Sequence, residues 1–274
     1  MSASPPNIWR VPVYLPYLQP NLTAEAIIGA ELKLGVRLPD DFLALLRAQN
    51  GGYIRYSLDG LPHEQIYGIG PHFPSLADFN WDDDQDHVGF ELQGLIPFDG
   101  DGHWHLCLDY RRDRATPAVS YIDIECDNEE EIAPTFSDYL KLLKLDVEDR
   151  DFVFPAVESV DELVAALSSE MGVRFEPSDF RTHGYPQYRA RGPSKDPQWI
   201  WISPNLVPRG FVREDDSRYE ELQNRLPGKA LRYEGLPDSS YILTVTEGLR
   251  RQMLEACGAR SIDIRPLAEF ASRE

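Results

Sequence analysis

The chain is short of what covalent frameworks and membranes require. It has three cysteines, Cys107, Cys126 and Cys257, in 274 residues. An odd and small number excludes a disulfide scaffold and points to a reducing compartment, with the cytoplasm as the expected location. No apolar run approaches the roughly 18 residues that span a bilayer, so no membrane partner is expected. The opening residues Met1-Ser2-Ala3-Ser4-Pro5-Pro6 have no basic region followed by an apolar core, so no secretory leader is expected. Motifs of catalysis are absent as well. There is no G-x-S-x-G, no Walker loop, no H-E-x-x-H and no C-x-x-C, which removes the common nucleophile, phosphate-cradle and metal signatures.

Positive charge is also scarce. Lys plus Arg number 27 against 46 Asp plus Glu, a net charge of -19. Residues 1–150 carry 26 acids against 11 bases, and residues 151–274 carry 20 against 16. Most of the excess lies in residues 51–150, with 22 acids against 7 bases. Nucleic acid is a poor partner for such a surface, because phosphates would be repelled instead of releasing counterions. A basic protein is the favoured one.

What is present reads as an α+β chain of two domains, 1–150 and 151–274, divided near the charged, proline-ended stretch Asp146 to Pro155. In the first, Thr23 caps a helix that ends at Gly35. Pro39 stands as the first residue of a second helix, with Asp40 and Asp41 at its positive end, and Asn50-Gly51 closes it. Strands are expected over Tyr53 to Leu58, Gln65 to Ile69 and Ala118 to Glu125. Thr135 with Asp138 resembles a capping box opening a helix with Phe136, Tyr139, Leu140 and Leu143 inward. In the second domain, helices are expected over Val160 to Met171, Tyr219 to Leu226 and Glu247 to Cys257. Strands are expected at Trp199 to Ser203, Leu231 to Glu234, Tyr241 to Thr246 and Ser261 to Arg265. Phe180 to Pro197 reads as a long loop in which Arg181, Arg189, Arg191 and Lys195 form a basic edge.

The stretch Leu95 to Arg111 organises the first domain. A turn on Asp99-Gly100-Asp101-Gly102 feeds strict alternation from His103 to Tyr110, the pattern of a strand with two unlike faces. Trp104, Leu106, Leu108 and Tyr110 are expected to face the core, and His103, His105, Cys107 and Asp109 to share the solvent face. His103 and Asp109 lie roughly 20 Å apart along such a strand, so one ion cannot bind all four. His103 and His105 with Asp99 or Asp101 are the alternative metal-dependent reading. The plain reading is a hairpin with no metal, cofactor or catalytic residue.

Several segments carry a resemblance. Leu34-Gly35-Val36-Arg37-Leu38-Pro39-Asp40-Asp41-Phe42 and Gln49-Asn50-Gly51-Gly52 come first. Ile96-Pro97-Phe98, Asp101-Gly102-His103-Trp104, Leu108-Asp109-Tyr110-Arg111, Pro117 to Asp123 and Phe136 to Leu140 follow. In this order and spacing they resemble the SUKH superfamily over roughly residues 23–145. The resemblance implies helices packed on a mainly antiparallel sheet, and a second, smaller α+β domain outside it. It also implies a bacterial immunity protein that neutralises a polymorphic toxin, often a nuclease, or a regulatory interaction protein as in fungal relatives. The expected partner surface for a basic protein comprises Asp82, Asp83, Asp84, Asp86, Asp99, Asp101, Glu129, Glu130 and Glu131. Tyr53, Tyr56 and Trp81 are its expected aromatic anchors.

Overall fold

The computed structural model describes residues 7–81, 84–177, 183–193, 195–196 and 198–270. They form two compact units, residues 1–144 and 145–274. Both are α+β.

The first α-helix of unit one is α1, Ala24–Leu34, where the Thr23 hydroxyl accepts the Ala26 N–H at 3.2 Å. It ends at Gly35, whose φ of 70° is the left-handed conformation glycine adopts without strain. Helix α2, Asp40–Ala48, starts one residue later than expected, with Pro39 as its cap and not its first residue. It buries Phe42, Leu43, Leu45 and Leu46. A short pair follows, β1 (Gly52–Tyr53) with β2 (Gln65–Ile66).

The main sheet then runs β3 (Leu95–Gly100), β4 (Trp104–Asp109), β5 (Ala118–Asp123) and β6 (Asn128–Ala133), antiparallel and in chain order. Helix α3, Phe136–Leu142, closes the unit. Thr135 accepts the Asp138 N–H at 3.1 Å and donates to its carboxylate at 2.8 Å.

Register assigns the faces, because directly opposed residues of antiparallel strands share one. Leu106 opposes Asp99 and Tyr121, and Leu108 opposes Ile96 and Val119. This face is dry and aromatic. Phe42 of α2, Phe98 of β3, and Phe136 and Tyr139 of α3 are all at most 1% exposed, with neighbouring rings 5.0–6.2 Å apart. Such tilted and edge-on contacts are those aromatic quadrupoles favour.

The opposite face carries His105, Cys107, Asp109, Ile122 and Ser120, and it is not the solvent face expected from the alternation. His105, Cys107 and Asp109 are 2%, 0% and 6% exposed. Leu92, Trp81, Val88 and Phe90, from the segment before β3, pack onto Leu95, Cys107 and Ile122. A second cover thus makes both faces apolar over half the sheet, which period-two alternation alone does not reveal.

Unit two is described by itself. Its antiparallel sheet contains β7 (Asp151–Phe154), β8 (Phe175–Pro177), β9 (Tyr188–Arg191), β10 (Trp199–Pro204), β13 (Tyr241–Val245) and β14 (Arg265–Pro266). Their order is β8-β9-β10-β13-β7-β14. β11 (Leu206–Pro208) and β12 (Lys229–Leu231) pair separately. Helices α4 (Val160–Met171) and α6 (Glu247–Ala259) bury Leu163, Leu167, Met171, Leu249 and Met253 against Ile200, Ile202, Leu243 and Val245. A short α5, Tyr219–Leu222, lies between them in sequence. The stretch read as a loop contains β9, whose Arg189 and Arg191 are exposed on either side of buried Ala190. They oppose Trp201 and Trp199. Lys195 is exposed and Arg181 lies outside the described residues.

Candidate functional site

Where the cover of the second sheet face ends, a groove of about 360 Å³ opens. It is lined by Asp109, Arg111, Arg112, Ser120, Glu129, Glu130 and Glu131. Strand ends place these side chains. Asp109 is the last residue of β4, and Arg111 and Arg112 follow it. Ser120 is on β5, and the three glutamates are on β6, the edge strand. Charged side chains are what an uncovered edge carries to avoid indiscriminate pairing.

Asp109 is the groove's floor. Its carboxylate accepts Arg111 Nε at 2.9 Å, Arg111 Nη2 at 2.7 Å and the Ser120 hydroxyl at 2.9 Å. Burial alone would raise its pKa, but the hydrogen bonds from Arg111 and Ser120 prevail and hold it below the usual carboxylate range. The forked Arg111 also reaches Glu129 at 2.7 Å and the Glu91 carbonyl at 3.0 Å. The bonds to Asp109, and after it Glu129, raise its own pKa further against burial. Arg112 pairs with Glu131 at 2.7 Å. Glu130 has no ion pair among the described residues. On this sheet face Asp109, Glu129 and Glu131 against two guanidiniums leave net -1, and Glu130, opposed to Tyr121, adds charge from the other side of the same edge strand.

The structure divides the expected partner residues. Asp84 is half-buried, and Asp86, Asp101, Glu129, Glu130 and Glu131 reach the surface. Asp101 also caps its own turn, accepting the His103 and Trp104 N–H groups at 2.9 and 3.2 Å. Burial opposes these bonds, yet its pKa is lowered overall. Asp82 and Asp83 lie outside the described residues.

Asp99 and Tyr56, only 1% and 6% exposed, drop out of any docking surface. Trp81 is half-buried and serves the fold. Its indole N–H donates to the Leu95 carbonyl at 2.9 Å, and its ring lies 4.4 Å from Phe79 and 5.2 Å from His105. Tyr53 is half-buried against Tyr17, with ring centroids 5.1 Å apart.

The alternative metal reading fails on geometry. His105 is walled by Phe79 and Trp81, and neither ring nitrogen has a hydrogen-bond partner. Burial, against the weaker opposing pull of Asp101 and Asp99, lowers its pKa to about 4. His103 is exposed and pairs with Glu125 at 2.8 Å. Asp99 points to the other sheet face, where Oδ2 accepts His63 Nδ1 at 2.6 Å. No group of three metal-binding side chains forms among the described residues.

The His63–Asp99 pair extends to the Tyr139 hydroxyl, 2.5 Å from His63 Nε2. Reading the residues in order missed this chain, since its members are separated by 36 and 76 positions. It resembles a catalytic relay in composition only. The His63 and Asp99 side chains are 0% and 2% exposed and Tyr139 is 0% exposed, so no substrate reaches them. The thiol of Cys107 is likewise inert, its pKa raised well above the ordinary value by burial.

Helices packed on an antiparallel sheet, with a charged groove at its edge, define the class of the N-terminal unit as an α+β domain. Residues 21–142, from the start of α1 to the end of α3, match the model of the SMI1 / KNR4 family (SUKH-1). The N-terminal unit therefore carries a SUKH-superfamily domain, and the match covers less than half of the chain. No curated protein matches the chain. No helix among the described residues is long and apolar enough to cross a membrane.

Proposed function

We propose that the N-terminal unit is a non-catalytic protein-binding module, an immunity protein whose acidic groove seats basic side chains of a toxin such as a nuclease. The observation that carries this reading is the open groove in which Asp109, Glu129 and Glu131 outnumber Arg111 and Arg112, with Glu129 and Glu131 held in place by those guanidiniums and Glu130 exposed on the same edge strand. Preformed ion pairs spare the ordering entropy of the long side chains, so an incoming lysine or arginine meets fixed carboxylates. Asp84, Asp86 and Asp101 extend the negative field and speed encounter with a cationic partner in a salt-sensitive way. Membership in a family of immunity and regulatory domains supports the same reading at the level of the fold.

The test is co-expression with the product of the adjacent gene. A stable complex and rescue from toxicity are expected. The triple variant Glu129→Lys, Glu130→Lys, Glu131→Lys should weaken the complex by about tenfold or more, mainly by slowing association at low salt. A complex indifferent to that reversal and to salt would remove the groove from the interface.

A further inference from the structure

Helix α1 presents an apolar face that the fold does not use. Seven of its eleven residues are apolar, yet only Ala30 is fully buried. One stripe, Ile27, Ala30 and Leu34, faces inward to differing degrees. Ile28 and Leu32, one turn apart, are 56% and 78% exposed. A surface helix needs one apolar stripe, so a second, solvent-facing one calls for an occupant. Beside it lies a groove of about 510 Å³ lined by Ile28, Leu32, Val36, Arg37 and Arg114, together with Glu31 and Gly35.

The groove's wall is rigid and its rim is cationic. Gly35 N–H donates to Glu31 O at 2.9 Å, Leu38 N–H donates to Glu31 Oε1 at 3.0 Å, and Tyr110 donates to Arg37 O at 2.7 Å. Glu31 is engaged by the first two of these bonds and by Arg37 at 3.5 Å, and its side chain is only 11% exposed. The Arg37 side chain remains 88% exposed. Arg114 donates to the Gly35 carbonyl and has no carboxylate partner among the described residues. On a chain of net charge -19, the exposed apolar stripe is thus bordered by two outward-facing guanidiniums.

We infer that this groove docks an amphipathic helical segment of another protein, with apolar residues on one face and carboxylates beside them. The i, i+4 ridge of Ile28 and Leu32 suits helix-in-groove packing, and Arg37 and Arg114 select the flanking charge. A second copy of the chain is the poorer occupant, because its α1 would bring the same arginine rim toward this one. The site is separate from the acidic groove and of opposite charge preference, so it stands whether or not that groove binds a toxin.

The experiment uses the full chain and two fluorescent helical peptides with leucines along one face, flanked by glutamates in one and by lysines in the other. The glutamate peptide should bind and the lysine peptide should not. Leu32→Asp, at an exposed position, should weaken binding about tenfold or more with an unchanged thermal melt. Arg37→Glu with Arg114→Glu should reverse the preference between the peptides. Three results would each overturn the inference: no binding of either peptide, equal binding of both, or self-association by light scattering that disappears in Leu32→Asp.

Discussion

The two faces of the β3–β6 sheet each bury a histidine and an aspartate, with opposite outcomes. On the aromatic face, Asp99 accepts from His63, from the Glu64 and Gln65 N–H groups and from Gly100 N–H, while His63 also meets Tyr139. The Asp99 carboxylate and both His63 ring nitrogens have partners there. On the other face Asp109 is matched by Arg111 and Ser120, but His105 has neither ring nitrogen bonded. Burial is similar in all four residues. What differs is whether the cover supplies partners. Helix α3 and the strand preceding β3 bring donors and acceptors, whereas the segment holding Phe79 and Trp81 brings rings. The difference teaches where the unit is stiff and where it is sensitive to pH, and both faces can be tested against each other.

The largest effect is expected on the satisfied face. Asp99→Ala leaves the His63 ring and three backbone N–H groups without their acceptor, and should cost about 3–5 kcal/mol in urea unfolding. Asp99→Asn keeps one oxygen and should cost less. Equal, small losses for both would mean that the buried chain contributes little to stability.

The orphaned face should show its effect in the pH dependence. The folded His105 has a pKa of about 4, lowered from 6.5, so between these values the unfolded chain binds the extra proton. Stability must therefore fall as pH drops from about 6.5 and level off near 4, by roughly 3 kcal/mol in all. His105→Leu should abolish that slope while leaving stability at pH 7 unchanged or higher, because no hydrogen bond is lost. A slope that persists in the variant would assign it to other groups.

Much of the first unit was legible because its signals are local. Thr23, Gly35 and Thr135 cap the helices they mark, and the alternation from Trp104 to Asp109 does form a strand. The second cover was not legible, because Phe79, Trp81, Val88, Phe90 and Leu92 sit among acids with no period. Strand β6 was read only as a run of charge, since three glutamates on an uncovered edge look like a solvated loop. Of the groove's acids, Glu129, Glu130 and Glu131 were expected on a partner surface from the sequence, and Asp109 was not. That Glu129 and Glu131 would be paired by Arg111 and Arg112, and that Asp99 would be internal, depends on register and on contacts across dozens of positions.

A smaller effect is expected at the groove floor. Arg111→Ala leaves Asp109 with the Ser120 hydroxyl and the Arg111 backbone N–H, and should cost about 1–3 kcal/mol. The sign with pH follows from the lowered carboxyl. Its contribution is present above the unfolded carboxylate range and is lost as pH falls through the folded value. In Arg111→Ala the folded pKa rises toward or past the unfolded one, so that loss should shrink or change sign, which acid titration of the two proteins would read directly.

The smallest change in stability is expected at the groove's rim, and it separates the fold from the function most cleanly. Glu130 is exposed and makes no ion pair among the described residues. Glu130→Lys should therefore alter stability by no more than about 0.5 kcal/mol. The same substitution makes the acidic edge strand more positive by two charges without touching the Arg111 and Arg112 pairs, so association with a cationic partner should slow and lose part of its salt dependence. Glu130→Gln, which removes charge without reversing it, should fall between. If instead Glu130→Lys unfolds the unit, the rim belongs with the packed face and not with the docking one. If it leaves both folding and association untouched, the partner's charge is read elsewhere, and Asp84, Asp86 and Asp101 become the next positions to reverse.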